Sequence, residues 1–434
     1  MAVQKFLSFR LFTLIFALAI LGETASTSSA DVTLTPVALS REKFTAQGQK
    51  LRVGSFGAPA INLRNALVYY ATCYGSGINA SNNAFLGRIS KSGKSRRIIA
   101  RKGSVTSVGT LTGLSTNPYI NNSFLVSWSA VFTTIVLDGQ TQNITTNTYF
   151  LQTSKQGASA RYFLFPDQDI VDKSMDLNKQ NAITLLAGDL ARPDAPQSVF
   201  RLQPGAATPL VAVGETAIGL PLGATYTEFG EPTIADNNTV FFAAKVSDTD
   251  TKFDGIWYGK NGDPNPLVVN GQTAPGVGAL TAVSDPPVPS SSGKLAAFAA
   301  TGGSGSGIFV VDVATGVITL TAKTGQSVSD YAQQLSGLQP PAVNNKGQVA
   351  FGVKTDGAAL ASANIERVNA LFFVNPSEDP IKIIANGDTV VVKGKEKKVI
   401  DLRFAPTRGL NDLGYIAFTA SFSDRTSGVF LAKP

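Results

Sequence analysis

Few side chains in this chain of 434 residues have the chemistry that catalysis requires. There is no histidine, and the single cysteine is Cys73. Without imidazole, the sequence excludes His metal ligands and every nucleophile that depends on a histidine base. The alternation of Tyr69, Ala71 and Cys73 predicts that the thiol lies on the apolar face of a strand, as part of the core. Carboxylates, lysine, tyrosine and the backbone remain as candidates.

Carboxylates are sparse, with eight Glu and 22 Asp in the whole chain. Glu228 and Glu231 have the residue types needed for the acid and the base or nucleophile of a glycoside-cleaving site. A ring of repeats could also supply the catalytic acid and base from Asp or Glu residues of separate repeats. These residues leave open a carbohydrate-active hydrolase or lyase as the alternative function, while their scarcity favours a protein that is not an enzyme.

Two acidic loops have spacings that resemble calcium loops. They contain Asp167, Asp169 and Asp172, and Asp248, Asp250 and Asp254. The first lacks the glycine at position six and the glutamate at position twelve of an EF-hand loop. We therefore expect solvated loop acids and no cofactor, with a structural calcium ion as the alternative.

Two clusters of basic residues are the candidates for binding. They contain Lys91, Lys94, Arg96, Arg97, Arg101 and Lys102, and Lys393, Lys395, Lys397 and Lys398. Such residues commonly guard sheet edges and keep a protein soluble, but they also suit a polyanion that releases counterions on binding. By the repeat spacing, the first cluster belongs to the second blade. We predict a polyanion site formed by Lys94, Arg96, Arg97, Arg101 and Lys102.

The overall charge limits the expected partners. The chain has 37 Lys and Arg against 30 Asp and Glu, a net charge of +7, and only 15% of its residues are charged. This excess is far below that of a dedicated nucleic-acid-binding protein, so we expect no nucleic acid partner. An extracellular polymer or another protein is the expected partner.

Residues 1–30 have the pattern of a secretory signal peptide. Lys5 and Arg10 precede an apolar run over residues 11–21, and Ser28 and Ala30 provide the small residues of a cleavage site. The run is too short to span a bilayer, and no later run reaches the length of a transmembrane helix. We expect residues 31–434 to form one secreted or periplasmic domain without a membrane span or an anchor.

Three patterns recur along residues 31–434. The first is an aromatic residue in an apolar strand, repeated at Phe85, Phe150, Phe200, Trp257, Phe309, Phe372 and Phe430. The mean spacing of these seven residues is about 57 residues. The second pattern is Gly followed by a polar residue and Thr or Ser, as at Gly271 and Gly387.

The third pattern is a tight turn followed by an alternating strand. Its leading residue is Asn62, Asn178, Asn344 or Asn411, whose side chain can hydrogen-bond the backbone two residues further on. Its fourth position holds Asn65, Asn181, Asn238, Gly347 or Gly414. Asn and Gly accept a positive φ most readily, so this position predicts a hairpin turn.

Each repeat therefore contains about four strands. Seven repeats, each unable to bury both of its faces alone, predict an all-β, seven-bladed β-propeller. An open array of β repeats is the alternative, because a repeat length does not fix curvature. Val32–Leu39 is predicted to be the first strand of the first repeat, which a closed ring would bring beside the last repeat.

The repeats resemble those of the NxxGxxAF tandem-repeat proteins, which are exported bacterial proteins with varied C-terminal anchors. The matching residues are Asn344, Gly347, Ala350 and Phe351, and Asn411, Gly414, Ala417 and Phe418. The resemblance covers essentially all of residues 31–434, but it implies no activity. This sequence lacks a C-terminal sorting segment, which argues against surface anchoring.

These observations lead to one prediction and one alternative. We predict an exported, monomeric binding or scaffold module for an extracellular glycan, polyanion or protein. The alternative is a carbohydrate-active enzyme that uses Asp or Glu from separate blades.

Overall fold

The alternating apolar runs of the repeats form β-strands. A computed structural model describes residues 32–434 except 47–48, 107–108, 134, 138–139, 143–146, 154–159, 164–168, 171–175, 189–196, 204–205, 222, 249–250, 263 and 356–366. It describes the backbone alone at 46, 106, 133 and 188 and at the strand residues between 135 and 170. The regular elements of this part of the chain are forty strands, so it contains no helix able to span a membrane.

The strands form seven main antiparallel sheets, which we call blades 1 to 7. The first strand in the chain is β1 (Thr33–Leu39), and it belongs to blade 7. Blade 1 contains β2 (Lys43–Ala46), β3 (Gln49–Phe56), β4 (Ala60–Ile61), β5 (Leu67–Tyr74), β6 (Ala84–Ile89) and β7 (Arg96–Arg101). Blade 2 contains β8 (Val105–Thr106), β9 (Gly109–Leu114), β10 (Tyr119–Ile120), β11 (Val126–Thr133), a separate hairpin of β12 (Ile135–Leu137) and β13 (Gln140–Gln142), then β14 (Asn147–Thr153) and β15 (Ala160–Phe163). Blade 3 contains β16 (Asp169–Ile170), β17 (Asp176–Leu177), β18 (Ile183–Gly188), β19 (Ser198–Gln203) and β20 (Ala206–Ala212).

The remaining blades follow the same order. Blade 4 contains β21 (Thr225–Phe229), β22 (Thr233–Ile234), β23 (Val240–Ser247), β24 (Lys252–Gly259) and β25 (Asn265–Val269). Blade 5 contains β26 (Thr273–Ala274), β27 (Gly278–Val283), β28 (Val288–Pro289), β29 (Leu295–Gly302), β30 (Gly305–Asp312) and β31 (Ile318–Lys323). Blade 6 contains β32 (Ala342–Val343), β33 (Val349–Val353), β35 (Ala370–Val374) and β36 (Ile381–Ala385), while β34 (Arg367–Val368) pairs with blade 7. Blade 7 contains β37 (Thr389–Val392), β38 (Lys395–Phe404), β39 (Ile416–Phe422) and β40 (Ser427–Lys433).

Apolar side chains fill the seams between neighbouring blades. The described residues form seven buried clusters, and each cluster joins two blades that are adjacent in the ring. One of them packs Tyr69 of blade 1 against Val429 of blade 7. Because this seam joins the first blade to the last, the blades close into a seven-bladed propeller, and the predicted fold is confirmed.

The predicted aromatic residues occupy the third strand of each blade. In blades 5 to 7 the ring stacks on an aromatic residue of the second strand, as Phe430 does on Phe418 with ring centroids 5.6 Å apart. The equivalent pairs are 5.5 Å apart in blade 5 and 5.4 Å apart in blade 6. Cys73 is buried in the same layer of side chains as Tyr69 and Ala71, as predicted.

The strand β1 closes the ring. It pairs along its length with β40, from Thr33 opposite Lys433 to Leu39 opposite Gly428. The sequence correctly predicted this strand and its place beside the last repeat. However, the strand that begins a sequence repeat completes the preceding blade, so the repeats and the blades are offset by one strand.

The innermost strand of the blades is interrupted. In blade 1, β3 and β4 both pair with β5, and Pro59 lies in the gap between them. Corresponding gaps contain Pro118, Pro232 and Pro406. Proline has no N–H to donate to a ladder, so the strand breaks there and its backbone loops toward the axis.

The repeated Asn turns have the predicted conformation. The fourth positions all have positive φ, from 55° at Asn65 to 78° at Gly414. The side-chain oxygen of Asn411 accepts the N–H groups of Leu413 and Tyr415 at 3.1 and 3.0 Å. The same pair of bonds occurs at Asn62, Asn178 and Asn344.

The same asparagines also join the blades, which their local spacing does not indicate. The Nδ2 group of Asn411 donates to the backbone oxygen of Asn62 at 2.9 Å and to the Oδ1 atom of Asn65 at 2.7 Å. Equivalent bonds run from Asn62 to residue 121, from residue 121 to Asn178, from Asn178 to residue 235 and from Asn344 to Asn411. Backbone N–H groups make the two remaining links, from Asp236 to the oxygen of Ser291 and from Ser292 to the Oδ1 atom of Asn345, so the turns form a hydrogen-bonded ring around the axis.

One further member of this ring, Asn121, was not among the predicted turn residues. Asn121 is buried and bonds its own turn and blade 3 as the other asparagines do. Phe124 takes the place of Gly or Asn at the positive-φ position, with φ of 63°, and this obscured the pattern. The spacing of about 57 residues from Asn62 and Asn178 was the available signal.

Candidate functional site

Positive charge is concentrated in blade 1. Residues 41–102 contain 12 of the chain's 37 Lys and Arg residues and only one of its 30 Asp and Glu residues, Glu42. The local net charge is therefore 12 − 1 = +11, compared with +7 for the whole chain. Nine of these basic residues are exposed. The rest of the protein is net negative, so the molecule has a strongly basic sector on an otherwise acidic body.

Like charges face each other across strands of this blade. Arg88 lies directly opposite Arg97, and Lys43 lies directly opposite Arg52. Such pairs destabilise a sheet unless an anion lies nearby. Burial, together with the charge of Arg97, lowers the pKa of the Arg88 guanidinium. The blade places like charges opposite each other and contains one acid, an arrangement that suits a surface that binds anions.

Glu42 connects the two predicted basic clusters. Its carboxylate forms ion pairs with Arg96 and, at 3.2 Å, with Lys393 of blade 7. Burial raises the pKa of Glu42, but the hydrogen bonds from Arg96, the Leu39 N–H and Lys393 outweigh it, and the net shift is downward. The two clusters therefore meet at the seam between blades 1 and 7.

The prediction that the first cluster belongs to the second blade is wrong. Arg96 and Arg101 lie on β7, the outermost strand of blade 1, because the strand that begins a repeat completes the blade before it. The clusters are therefore neighbours across the closing seam, a proximity that the repeat spacing did not predict.

The five predicted polyanion-binding residues have different environments. Lys94 and Arg97 are exposed, and Lys102 is half-buried. Arg96 is engaged by Glu42. Arg101 is buried at the opposite end of β7 and donates a 2.7 Å hydrogen bond to the Oε1 atom of Gln49. Lys94, Arg96 and Arg97 thus share one end of the strand, while Arg101 contributes to the structure of the blade.

Two further arginines of blade 1 lie on an aromatic ring. The guanidinium carbons of Arg64 and Arg88 are 5.3 and 5.5 Å from the ring centroid of Phe124 in blade 2. Arg88 also donates to the backbone oxygen of Phe124 at 3.3 Å. These contacts hold both cations at the seam between blades 1 and 2, next to Arg97.

A half-open cavity of about 100 Å³ lies on the other side of β7. Its apolar lining includes Phe44, Tyr69 and Phe85, and Arg96 and Arg97 complete it. The rings of Phe44 and Phe85 have centroids 4.9 Å apart. This cavity joins an apolar floor to two of the predicted polyanion-binding residues.

A second cavity, of about 130 Å³, lies on the propeller axis. It is lined by four of the ring asparagines and by Tyr119, Asp176, Asp236, Arg408 and Asp412. The guanidinium carbon of Arg408 is 4.2 Å from the ring centroid of Tyr119. Burial raises the pKa of Asp176 to about 6, although the N–H groups of Ile234 and Leu177 and the charge of Arg408 act in the opposite direction.

The acids of the axial cavity are engaged in bonds between blades. Asp176 accepts the N–H groups of Leu177 and Ile234 at 2.7 and 2.9 Å. Asp236 accepts the N–H of Lys179 at 2.8 Å, and Asp412 accepts the N–H of Asn345 at 2.8 Å. These carboxylates converge from three blades, but each holds the backbone of a neighbour in place.

Asp285 gives the fold a measurable pH dependence. Burial, reinforced by the charge of Glu228, raises its pKa to about 7. The folded protein therefore binds an extra proton between about pH 4 and 7, and its stability falls as the pH rises through this range. Asp285→Asn keeps an oxygen for the 2.8 Å bond from the Glu231 N–H and removes the buried charge.

We expect Asp285→Asn to raise the free energy of unfolding by about 1–3 kcal/mol at pH 8 and to leave it nearly unchanged at pH 4. Urea unfolding followed at both pH values measures the difference. A gain of equal size at pH 4 and pH 8 would show that the carboxyl charge is not its cause.

Glu228 and Glu231, the two acids that could serve a glycoside-cleaving site, are engaged separately in the described structure. Glu228 lies near the end of β21 and forms a 2.6 Å ion pair with Lys245, with 60% of its side chain exposed. Glu231 donates its backbone N–H to Asp285. Asp167, Asp172 and Asp250 fall outside the described residues, so the calcium alternative stays a prediction. Among the described residues, no group of three or more Cys, Asp or Glu is arranged to hold a metal ion.

Comparisons with known proteins agree with this architecture. A model described as "Family of unknown function (DUF7453)" matches residues 23–434, and no curated protein matches the sequence. Among solved structures, the chain is similar to an oligogalacturonate lyase in complex with manganese, with 11% identity, a TM-score of 0.52 and coverage of 93% of this chain and 98% of that one. An oligogalacturonate lyase from Vibrio parahaemolyticus has 10% identity, a TM-score of 0.52 and the same 93% and 98% coverage.

A third structure, TolB from Acinetobacter baumannii, has 9% identity and a TM-score of 0.38. The match covers 75% of this chain, and the chain spans 65% of the length of that protein. At these identities the lyase similarities show the fold alone.

Proposed function

The chain belongs to the family of unknown function DUF7453, and we propose that it is an exported binding module that holds an acidic extracellular polymer on blade 1. The proposal includes export through the signal peptide at residues 1–30 and action as a monomer. The resemblance to the NxxGxxAF repeat proteins stays a prediction and is compatible with this role.

The charge segregation in blade 1 carries the proposal. Twelve basic residues and one acid lie within residues 41–102, and the closing seam adds Lys393. A linear polyanion can contact many of these residues at once and release its counterions, so its binding weakens steeply with salt. Single-sign charge on one sector also steers a charged polymer to that sector. Solubility alone would be served as well by charges spread over all seven blades.

The alternative is a carbohydrate-active hydrolase or lyase. The three carboxylates that line the axial cavity from blades 3, 4 and 7 are the observation in its favour. At about 130 Å³ the cavity is smaller than the cavities of about 150 Å³ that hold one benzene molecule in other proteins, so it cannot enclose two linked sugar rings. The oxygens of these acids are also used in bonds between blades. Binding on blade 1 therefore explains more of the structure than cleavage on the axis does.

The test is calorimetric titration of the purified chain with polygalacturonate, dextran sulfate and neutral dextran. We expect the two acidic polymers to bind and neutral dextran not to bind. The logarithm of the association constant should fall linearly with the logarithm of the NaCl concentration, with a slope of about −3 or steeper. Binding of neutral dextran with equal affinity, or a slope near zero, would contradict the proposal.

The same samples distinguish binding from cleavage. A lyase produces unsaturated ends and a hydrolase produces new reducing ends, and both can be measured in the titrated polymer. We expect neither to accumulate. Accumulation that stops in Asp176→Asn, while polymer binding persists, would instead support the enzymatic alternative.

A further inference from the structure

We propose that the cavity beside β7 receives a small apolar substituent, such as an O-acetyl group, of the acidic polymer bound to blade 1. This inference rests on the proposed function and specifies its ligand. The cavity would then determine whether the protein prefers the substituted or the unsubstituted form of the same polyanion.

The walls of the cavity favour an apolar occupant. Phe44, Tyr69 and Phe85 form its floor, and Ile98 lies at its side. Tyr69 and Phe85 are 1% and 3% exposed, so the floor is held rigidly by the core between blades 1 and 7. A charged group placed against these rings would lose its hydration without compensation, whereas a methyl group gains from the transfer.

The size of the cavity limits the occupant. At about 100 Å³ it is smaller than the cavities of about 150 Å³ that hold a benzene molecule in other proteins. A sugar ring is therefore too large, and a group of a few heavy atoms is suitable.

The charges around the cavity define what the substituent is attached to. Arg96 lines the same cavity, and Glu42 pairs with both Arg96 and Lys393, so two cations share one acid beside the apolar group. Guanidinium pairs well with carboxylate and sulfate groups. An acidic sugar carrying an O-acetyl group presents both features within one residue of the polymer. The anion would remain at Arg96 and Lys393 while the acetyl methyl group packs on Phe44 and Phe85.

The experiment compares O-acetylated polygalacturonate with the same sample after removal of its acetyl groups. Binding is measured by calorimetry at 50 mM NaCl with the whole chain. We expect the acetylated polymer to bind about four- to fifteenfold more tightly, which is the gain for burying one or two carbon atoms at each site. Equal affinity for the two polymers would overturn this inference and leave the proposed function intact. Failure of both polymers to bind would overturn both.

Two variants of β7 test whether the cavity is the source of the preference for the acetylated polymer. Ile98→Phe places a ring into the cavity, and we expect it to abolish the preference while the deacetylated polymer binds as before. Ile99→Phe is the matched control, because Ile99 packs on the opposite side of β7 against blade 2. It should retain the preference for the acetylated polymer.

Thr45→Leu, on the exposed strand that borders the cavity, is a second test that does not alter the buried core. Retention of the full preference in both Ile98→Phe and Thr45→Leu would overturn the assignment to this cavity.

Discussion

Replacement of Lys43, Arg52, Lys94 and Arg97 with glutamine is expected to weaken polygalacturonate binding about 100-fold at 50 mM NaCl. Each lost contact removes roughly one released counterion, so the salt slope should become shallower by about 3. Lys94 and Arg97 are exposed members of the predicted polyanion site, and Lys43 and Arg52 are exposed on the neighbouring hairpin. Glutamine keeps much of each side chain's aliphatic packing while removing its charge.

We expect this variant to remain folded. It removes one member of the Arg88–Arg97 pair and both members of the Lys43–Arg52 pair, so it relieves cross-strand repulsion. A loss of binding would therefore not result from unfolding, and urea unfolding of the variant verifies this.

The matched control has the same net charge. Lys260, Lys294, Lys323 and Lys346 are exposed in blades 4 to 6, and their replacement with glutamine removes four charges from the other side of the ring. We expect this control to bind within about threefold of the native protein, since distant exposed charges are largely screened. Equal losses in the two variants would show that overall charge, and not blade 1, determines binding.

Asn411→Ala is expected to lower the free energy of unfolding by about 3–5 kcal/mol. Asn411 is buried, and its side chain makes four hydrogen bonds, two within its own turn and two across the closing seam to Asn62 and Asn65. Alanine leaves these buried partners without their bonds, and each unsatisfied group costs about 1–3 kcal/mol. Urea unfolding at neutral pH measures the loss.

Asn411→Asp separates the two roles of the side chain. Aspartate keeps the oxygens that accept the Leu413 and Tyr415 N–H groups, but it loses the donor to Asn62 and Asn65. We expect a loss comparable to that of Asn411→Ala, because a carboxylate would face two oxygens across the seam. Asn265→Ala, at an exposed position of β25, should change stability by less than about 0.5 kcal/mol. If Asn411→Asp were as stable as the native protein, the ring of asparagines would not contribute to closure.

Local features of the fold were predictable because short-range physics determines them. Alternation with a period of two identified the strands, and the steric preference for Gly or Asn at positive φ identified the turns at Asn65, Asn181, Asn238, Gly347 and Gly414. The oxygen of each leading asparagine bonds residues two and four positions away, so its role in the turn also follows from nearby sequence. The number of repeats gave the number of blades.

The sequence did not determine how these units meet. The donor group of Asn411 bonds residues 349 and 346 positions away, and Lys393 meets Glu42 across 351 positions. Neighbouring blades also bring Asp176, Asp236 and Asp412 together on the axis. The two basic clusters become neighbours for the same reason.

The sequence by itself determined the strands, the turns and the number of repeats, because these depend on backbone sterics and on hydrogen bonds within a few residues. Tertiary structure decided which strand completes which blade, which asparagines link blades and which charges share a surface. These outcomes follow from closure of the ring, in which β1 fills the open edge of blade 7 and residues from the two ends of the chain become neighbours.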